Sequence, residues 1–148
     1  MDSADQLLEV YARMVAQRMQ SNTTTSTSDL QGYADMYFRP GVFLGVFAAD
    51  ESPPRPPHRG FYVQNTLRTD SESRNGHWVA VAMEPGEKSL LFDSFGRTPG
   101  AAFMPHLMHA ETTDPDRNQE WESTRCGQLS LAFGHLYMNH GYYIALRA

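Results

Sequence analysis

The chain contains a single cysteine, Cys126, and its neighbours favour a reactive thiolate. A cysteine acts as a nucleophile only in its thiolate form, which a helix N-terminus and nearby positive charge stabilise. Ser123 or Thr124 can cap a predicted helix that Cys126 opens, and Arg125 adds a positive neighbour. The alternative is a buried, inert cysteine, because most free cysteines in proteins are of that kind.

His77 and Asp93 lie at the two ends of a predicted β-hairpin. His77 begins an apolar run, a turn containing Pro85-Gly86 follows, and a second apolar run ends at Asp93. In an antiparallel hairpin the start of one strand lies beside the end of its partner, so we expect these two side chains to be neighbours. A carboxylate beside an imidazole fixes its tautomer and stabilises its charged form. The hairpin alone leaves open an exposed histidine with a turn aspartate.

Gln119 precedes Cys126 by a short stretch of chain. Its side-chain amide has the chemistry to join the backbone N–H of Cys126 in an oxyanion hole, where two donors stabilise the charge on an attacked carbonyl oxygen. By itself, Gln119 would be interpreted as an ordinary loop residue.

These residues, in the order His, Asp, Gln, Cys, resemble the adenovirus protease (adenain) family and the related proteases that act on SUMO and other ubiquitin-like modifiers. The resemblance covers about residues 42 to 139. The matching segments are residues 42–47 (VFLGVF), 76–82 (GHWVAVA) and 91–96 (LFDSFG), and the pattern Gln119…Ser123-x-x-Cys126-Gly127.

The resemblance implies a cysteine protease and gives each residue a role: Cys126 is the nucleophile, His77 the general base and acid, Asp93 the residue that orients the histidine, Gln119 the oxyanion donor, and Trp78 a neighbour of the site on its substrate-binding side. It also implies an α+β fold, in which a central antiparallel or mixed sheet carries the histidine and the acid. A helix whose N-terminus carries the cysteine packs against that sheet. Aspartate at position 93 matches the cellular branch, since the adenovirus enzymes use glutamate there.

The function implied by the resemblance is a viral maturation protease that cleaves viral precursor proteins at small-residue, glycine-containing sites. Two alternatives stay open: a protease that removes a ubiquitin-like modifier, and a non-catalytic virion or scaffold protein that keeps the fold. We predict a polypeptide substrate and no cofactor. An activating peptide or DNA, as in adenovirus, is left open, but the adenovirus peptide is held through a second cysteine, which this chain lacks.

The composition of the chain restricts its domain organisation, its partners and its location. The 148 residues, 41% of them hydrophobic, fit a single protease domain spanning 1–148. The net charge of −5 argues mildly against a protein that mainly holds nucleic acid, although a local basic patch stays open. With one cysteine, no apolar run of membrane-spanning length and a polar N-terminus, we expect an intracellular protein (host nucleus or cytoplasm) or a virion component, neither secreted nor membrane-bound. His106 and His109 have metal-ligand spacing but no evident third ligand, so we predict no metal site.

The remaining patterns predict the elements around the site. An apolar stripe at helical spacing predicts a helix over about 3–20, residues 21–28 (SNTTTSTS) read as a flexible linker, and the catalytic core extends over about 33–148. Residues 53–57 (PPRPP) predict a stiff exposed loop. Strands are predicted around 42–47 and 61–67, a short helix after Pro99, a long helix over 127–139 ended by Gly141, and a final strand over 142–146. The predicted order of a helix, several strands and a helix, without repeated βα units, indicates an α+β fold.

Overall fold

A computed structural model describes residues 3–19, 26–66, 77–93, 107, 109–113 and 125–148. The elements, in chain order, are α1 (Ser3–Met19), α2 (Thr27–Tyr37), β1 (Phe43–Phe47), β2 (Gly60–Asn65), β3 (Trp78–Met83), β4 (Leu90–Phe92), β5 (Glu111–Thr112), α3 (Cys126–His140) and α4 (Tyr142–Ala145).

The strands form one five-stranded mixed sheet in the order β1-β2-β3-β4-β5. The three central strands are antiparallel, and the two outer pairs, β1 with β2 and β4 with β5, are parallel. The prediction of an α+β fold built on a central sheet is therefore confirmed. The predicted hairpin is present as β3 and β4, and both strands are buried along their whole length.

The residues of β3 are apolar at successive positions, so both faces of the sheet need to be covered by other parts of the chain. Ala80 and Ala82 face the larger core, which contains α1 and α3, while Val79 and Val81 belong to a smaller cluster on the opposite face. The long helix α3 lies against the sheet very closely. A Cβ atom on Gly134 would lie only 2.2 Å from the Phe61 ring, so glycine is what allows α3 to approach β2.

Helix α1 packs along α3. The apolar stripe that predicted this helix does face the core: Leu8 and Val15 are fully buried, and Leu7, Tyr11 and Met19 are partly buried against the same core. Burial of this apolar face against α3 therefore stabilises the helix, as the pattern indicates.

The predicted linker over 21–28 is wrong for residues 26–28, because Ser26 caps a helix that begins at Thr27. Helix α2 itself was not predicted. Ser26 caps α2, its hydroxyl accepting from the Asp29 N–H while the Asp29 carboxylate accepts from the Ser26 N–H. This reciprocal capping box satisfies two backbone donors that a helix start otherwise leaves unpaired. Leu30 and Tyr33 then anchor the helix in the core. Residues 21–25 lie outside the described part of the chain.

The predicted final strand is also wrong, because residues 142–145 form the short helix α4. Gly141 ends α3, as predicted, with a positive φ of 89° that side-chain-bearing residues rarely adopt. The chain then turns back into a new helical turn, in which the Ala145 N–H donates to the Gly141 carbonyl over 3.1 Å. The short helix predicted after Pro99 falls almost entirely outside the described residues.

The proline-rich loop is exposed and has no regular structure, as predicted. It is nevertheless fixed at one point by Arg55. The guanidinium of Arg55 donates to the carbonyls of Glu84, at 2.8 Å, and of Glu87, both in the turn between β3 and β4. One arginine therefore joins this loop to the hairpin.

Candidate active site

The hairpin brings His77 and Asp93 into contact. Strand β3 begins one residue after His77, β4 ends one residue before Asp93, and the last paired residues are Ala80 and Phe92. The Nε2 atom of His77 lies 2.6 Å from Oδ1 of Asp93. The histidine side chain is 14% exposed and the aspartate 7%, so this hydrogen bond is largely shielded from water.

The backbone of His77 is fixed by Thr66, the residue that follows β2. The Thr66 N–H donates to the His77 carbonyl over 2.9 Å, and the His77 N–H donates to Oγ1 of Thr66 over 3.0 Å. The threonine hydroxyl thus takes the place that a backbone carbonyl usually occupies in a sheet. Sequence reasoning missed Thr66, because its role depends on the strand register and no motif marks it.

Cys126 is the first residue of α3, and α3 packs against β3. Its Sγ atom accepts a hydrogen bond from the backbone N–H of Trp78 over 3.4 Å, across 48 residues of sequence. The cysteine is 1% exposed. The Trp78 side chain belongs to the core, so the contact that the structure adds at Trp78 is a backbone one. Whether the indole also meets substrate stays a prediction.

The start of α3 differs from the expected capping. The N-cap position is Arg125, whose side chain makes no capping hydrogen bond, so the expectation that Ser123 or Thr124 occupies the cap is wrong. Arginine lacks the short side-chain oxygen that accepts from first-turn N–H groups. Backbone N–H groups and the helix dipole both favour negative charge at this end of α3.

The electrostatics of the site centre on His77. Burial pulls the pKa of its imidazole down, but the hydrogen bond to Asp93 and the neighbouring Cys126 side chain, together with the charges of both residues, outweigh burial and raise the pKa to about 9. At neutral pH His77 is therefore an imidazolium, which places a positive charge near the Cys126 sulfur.

The other candidate residues have different outcomes. Gln119 lies outside the described residues, and so does His106 of the proposed metal pair. Within the described ranges, no group of three or more His, Cys, Asp or Glu side chains could hold a metal ion. In the same part of the chain, no helix is long and apolar enough to cross a membrane.

The two histidines of α3 outside the site contact aromatic side chains. Nε2 of His135 lies 2.8 Å from the Tyr33 hydroxyl, and its ring stacks on Phe38. Burial, with a smaller effect of the Arg18 charge, lowers the pKa of His135 to about 4, so this ring is neutral. His140 lies in the last turn and pairs with the Tyr11 hydroxyl at 3.0 Å.

Comparison with known proteins adds no family assignment. The chain matches none of the known protein-family models, and it has no significant match among curated proteins. The geometry of the site therefore carries the functional argument.

Proposed function

We propose that this protein is a cysteine endopeptidase with Cys126 as nucleophile, His77 as general acid and base, and Asp93 as the group that orients His77. One observation carries the proposal. The imidazole of His77 is hydrogen-bonded to the Asp93 carboxylate, and the Cys126 side chain lies near enough to contribute to the raised pKa of the same ring. A thiol, an imidazole base and a carboxylate that orients the base are the three groups of a cysteine-protease triad.

The proposed reaction proceeds in two steps. The Cys126 thiolate attacks the carbonyl carbon of the scissile peptide bond, and the His77 imidazolium donates its proton to the departing amine, leaving an acyl-thioester. The neutral imidazole then takes a proton from water, whose oxygen attacks the thioester carbonyl; collapse of the intermediate releases the carboxylic acid and regenerates the thiolate beside the imidazolium. Asp93 holds the ring through Nε2 in both steps.

The oxyanion of each tetrahedral intermediate needs donors near the start of α3. The backbone N–H of Cys126 is one donor, and we propose the side-chain amide of Gln119 as the second, on the basis of the family resemblance. Removal of one such donor typically lowers kcat by a factor of about 10²–10³.

The substrate is a polypeptide, and we propose cleavage at glycine-containing sites during maturation of viral precursor proteins. This finer assignment rests on the resemblance to the adenovirus protease family. A ubiquitin-like modifier with a C-terminal Gly-Gly would present the same local sequence, so the assay below includes one.

The deciding experiment measures hydrolysis of fluorogenic Leu-x-Gly-Gly peptides and of a ubiquitin-like fusion by the wild-type chain. Cys126→Ala and His77→Ala should each lower kcat by a factor on the order of 10⁴ or more. The matched control is His109→Ala, at an exposed histidine outside the site, which should leave kcat unchanged.

Alkylation provides a readout that does not need the correct peptide. Iodoacetamide should modify Cys126 near neutral pH faster than it modifies free cysteine, and His77→Ala should slow the reaction. The same alkylation rate in wild type and His77→Ala, together with no cleavage of any substrate, would refute the proposal.

A further inference from the structure

A cavity of about 590 Å³ lies at the end of the sheet opposite Cys126. Strand β3 begins beside Cys126, at Trp78, and the residue after its other end, Glu84, lines this cavity. Helix α3 likewise begins at Cys126 and reaches the cavity at Met138, which is about 18 Å along its axis at 1.5 Å per residue. We call this space the far-end cavity; it is separate from the proposed active site.

The far-end cavity has a local excess of positive charge, although the whole chain is negatively charged. Three of its lining side chains can be cationic, namely Arg39, His58 and Arg59, and Glu84 is the one carboxylate among the described residues that line it. The chain as a whole carries −5. A concave surface with this local excess of positive charge favours an anion.

The Glu84 carboxylate is already engaged by its neighbours. Its Oε1 atom lies 3.6 Å from Nε of Arg59 and accepts the Tyr137 hydroxyl over 3.1 Å. Arg59 is held further by its position over the Tyr137 ring, 5.5 Å from the centroid. Glu84 therefore acts mainly to fix Arg59, and the Arg39 guanidinium and the His58 ring are left for a ligand.

Arg39 is presented by a turn that the sequence specifies. The Val42 N–H donates to the Arg39 carbonyl over 3.2 Å, with Pro40 and Gly41 between them and φ of Gly41 at 87°. Proline followed by a glycine of positive φ is typical of a type II turn. Arg39 makes no ion pair with any of the described residues, so its guanidinium has no competing carboxylate among them.

His58 is oriented toward the same space. Its Nδ1 atom donates to the Arg59 carbonyl over 3.0 Å, which directs Nε2 away from the backbone. A Cβ atom on Gly41 would lie 3.8 Å from that Nε2 atom. The imidazole and the Arg39 turn therefore lie close together on one wall.

We propose that the far-end cavity binds a small phosphate-bearing molecule. Guanidinium groups match the oxygens of a phosphate in a bidentate geometry, so the two arginines offer donors to more than one oxygen, and the His58 ring adds a donor at Nε2 when it is protonated. The cavity has the volume of ordinary small-molecule sites, and Val42, Pro85 and Met138 give apolar walls for the rest of the ligand. This proposal does not depend on peptidase activity.

The test is isothermal titration of the full chain at constant, near-physiological ionic strength, with pyrophosphate and tripolyphosphate as phosphate probes. Citrate is the carboxylate probe of comparable charge. We expect saturable binding of the phosphate probes, at least tenfold tighter than that of citrate. Arg39→Gln and His58→Gln should each weaken it at least fivefold, whereas Arg13→Gln, which removes an exposed arginine on α1, should leave it unchanged.

Three results would overturn the proposal. Absence of saturable binding would show that the cavity takes no phosphate. If Arg13→Gln and Arg39→Gln weakened phosphate binding equally, the binding would be a general effect of net charge and not of this cavity. Citrate binding as tight as tripolyphosphate would assign the site to carboxylates. Circular dichroism of each variant checks that the fold is intact, and His58→Gln tests the cavity independently should Arg39→Gln fail to fold.

Discussion

The raised pKa of His77 is the property from which the proposed chemistry follows, and it can be measured directly. In the folded chain the pKa rises from 6.5 to about 9, because the Asp93 and Cys126 side chains outweigh burial. At about 1.4 kcal/mol per pH unit, this corresponds to about 3 kcal/mol of preference for the imidazolium in the folded state. The side chain is only 14% exposed, so solvent screening reduces this value modestly.

The sign of the effect on stability follows from linkage. A group whose pKa is higher when folded stabilises the fold fully below its unfolded pKa, near 6.5, and loses that contribution as pH rises through about 9. The free energy of unfolding of wild type, relative to His77→Gln, should therefore fall by up to about 3 kcal/mol between pH 6 and pH 10. Urea unfolding of both proteins across this range gives the difference, in which titrating groups that do not interact with His77 cancel.

Nuclear magnetic resonance of the imidazole nitrogens gives the pKa of His77 without unfolding. His135, whose pKa is lowered to about 4 mainly by burial, is an internal reference that should stay neutral from pH 6 to pH 10. Asp93→Asn should move the His77 pKa down, because the hydrogen bond to Asp93 is the first of the contributions that raise it. A His77 that titrates near 6.5 in wild type, or a pKa unchanged in Asp93→Asn, would refute the reasoning.

Two further predictions concern positioning and packing. Thr66→Val keeps the side-chain shape but removes the acceptor of the His77 N–H; leaving a shielded donor unpaired costs about 1–3 kcal/mol. It should lower kcat more than it raises KM, and Thr66→Ser should restore kcat; a change confined to KM would contradict the positioning role. Gly134→Ala should reduce stability by about 1–3 kcal/mol in urea unfolding, because the added methyl would meet the Phe61 ring at 2.2 Å. Its control, Gly32→Ala in α2, has open space and should stabilise the helix by about 0.5–1 kcal/mol, and equal effects of the two would contradict the packing argument.

The sequence was sufficient where a feature depends on local pattern. The apolar runs on either side of Pro85-Gly86 define β3 and β4, and antiparallel pairing then brings His77 and Asp93 together. The apolar stripe of α1 and the glycine that ends α3 are equally local signals. These features were predictable because each is specified within a few turns or one hairpin.

The features that were missed depend on context beyond the local pattern. The run of serines and threonines over 21–28 reads as a linker. The capping box that Ser26, near the end of this run, forms with Asp29 was not predicted. The tail at 142–146 is aromatic and β-branched enough to suggest a strand, yet the reversal at Gly141 places it as a helical turn beside α3. Thr66 has no sequence signal, because only the register of β2 against β3 brings its hydroxyl to His77.

The position of the candidate site follows from where the sheet pairing stops. In an antiparallel strand the N–H groups of successive residues point to opposite neighbours. The His77 N–H points to β2, where the Thr66 hydroxyl accepts it, so the Trp78 N–H points to the side of β4. The described pairing with β4 ends at Ala80 and Phe92, two residues short of Trp78. The Trp78 donor lies where the strand partner ends and the N-terminus of α3 begins, and the Cys126 sulfur accepts it there. The short β4 therefore has two consequences: Asp93 follows its end and lies beside His77, and the backbone N–H of Trp78 is left to donate to the Cys126 sulfur.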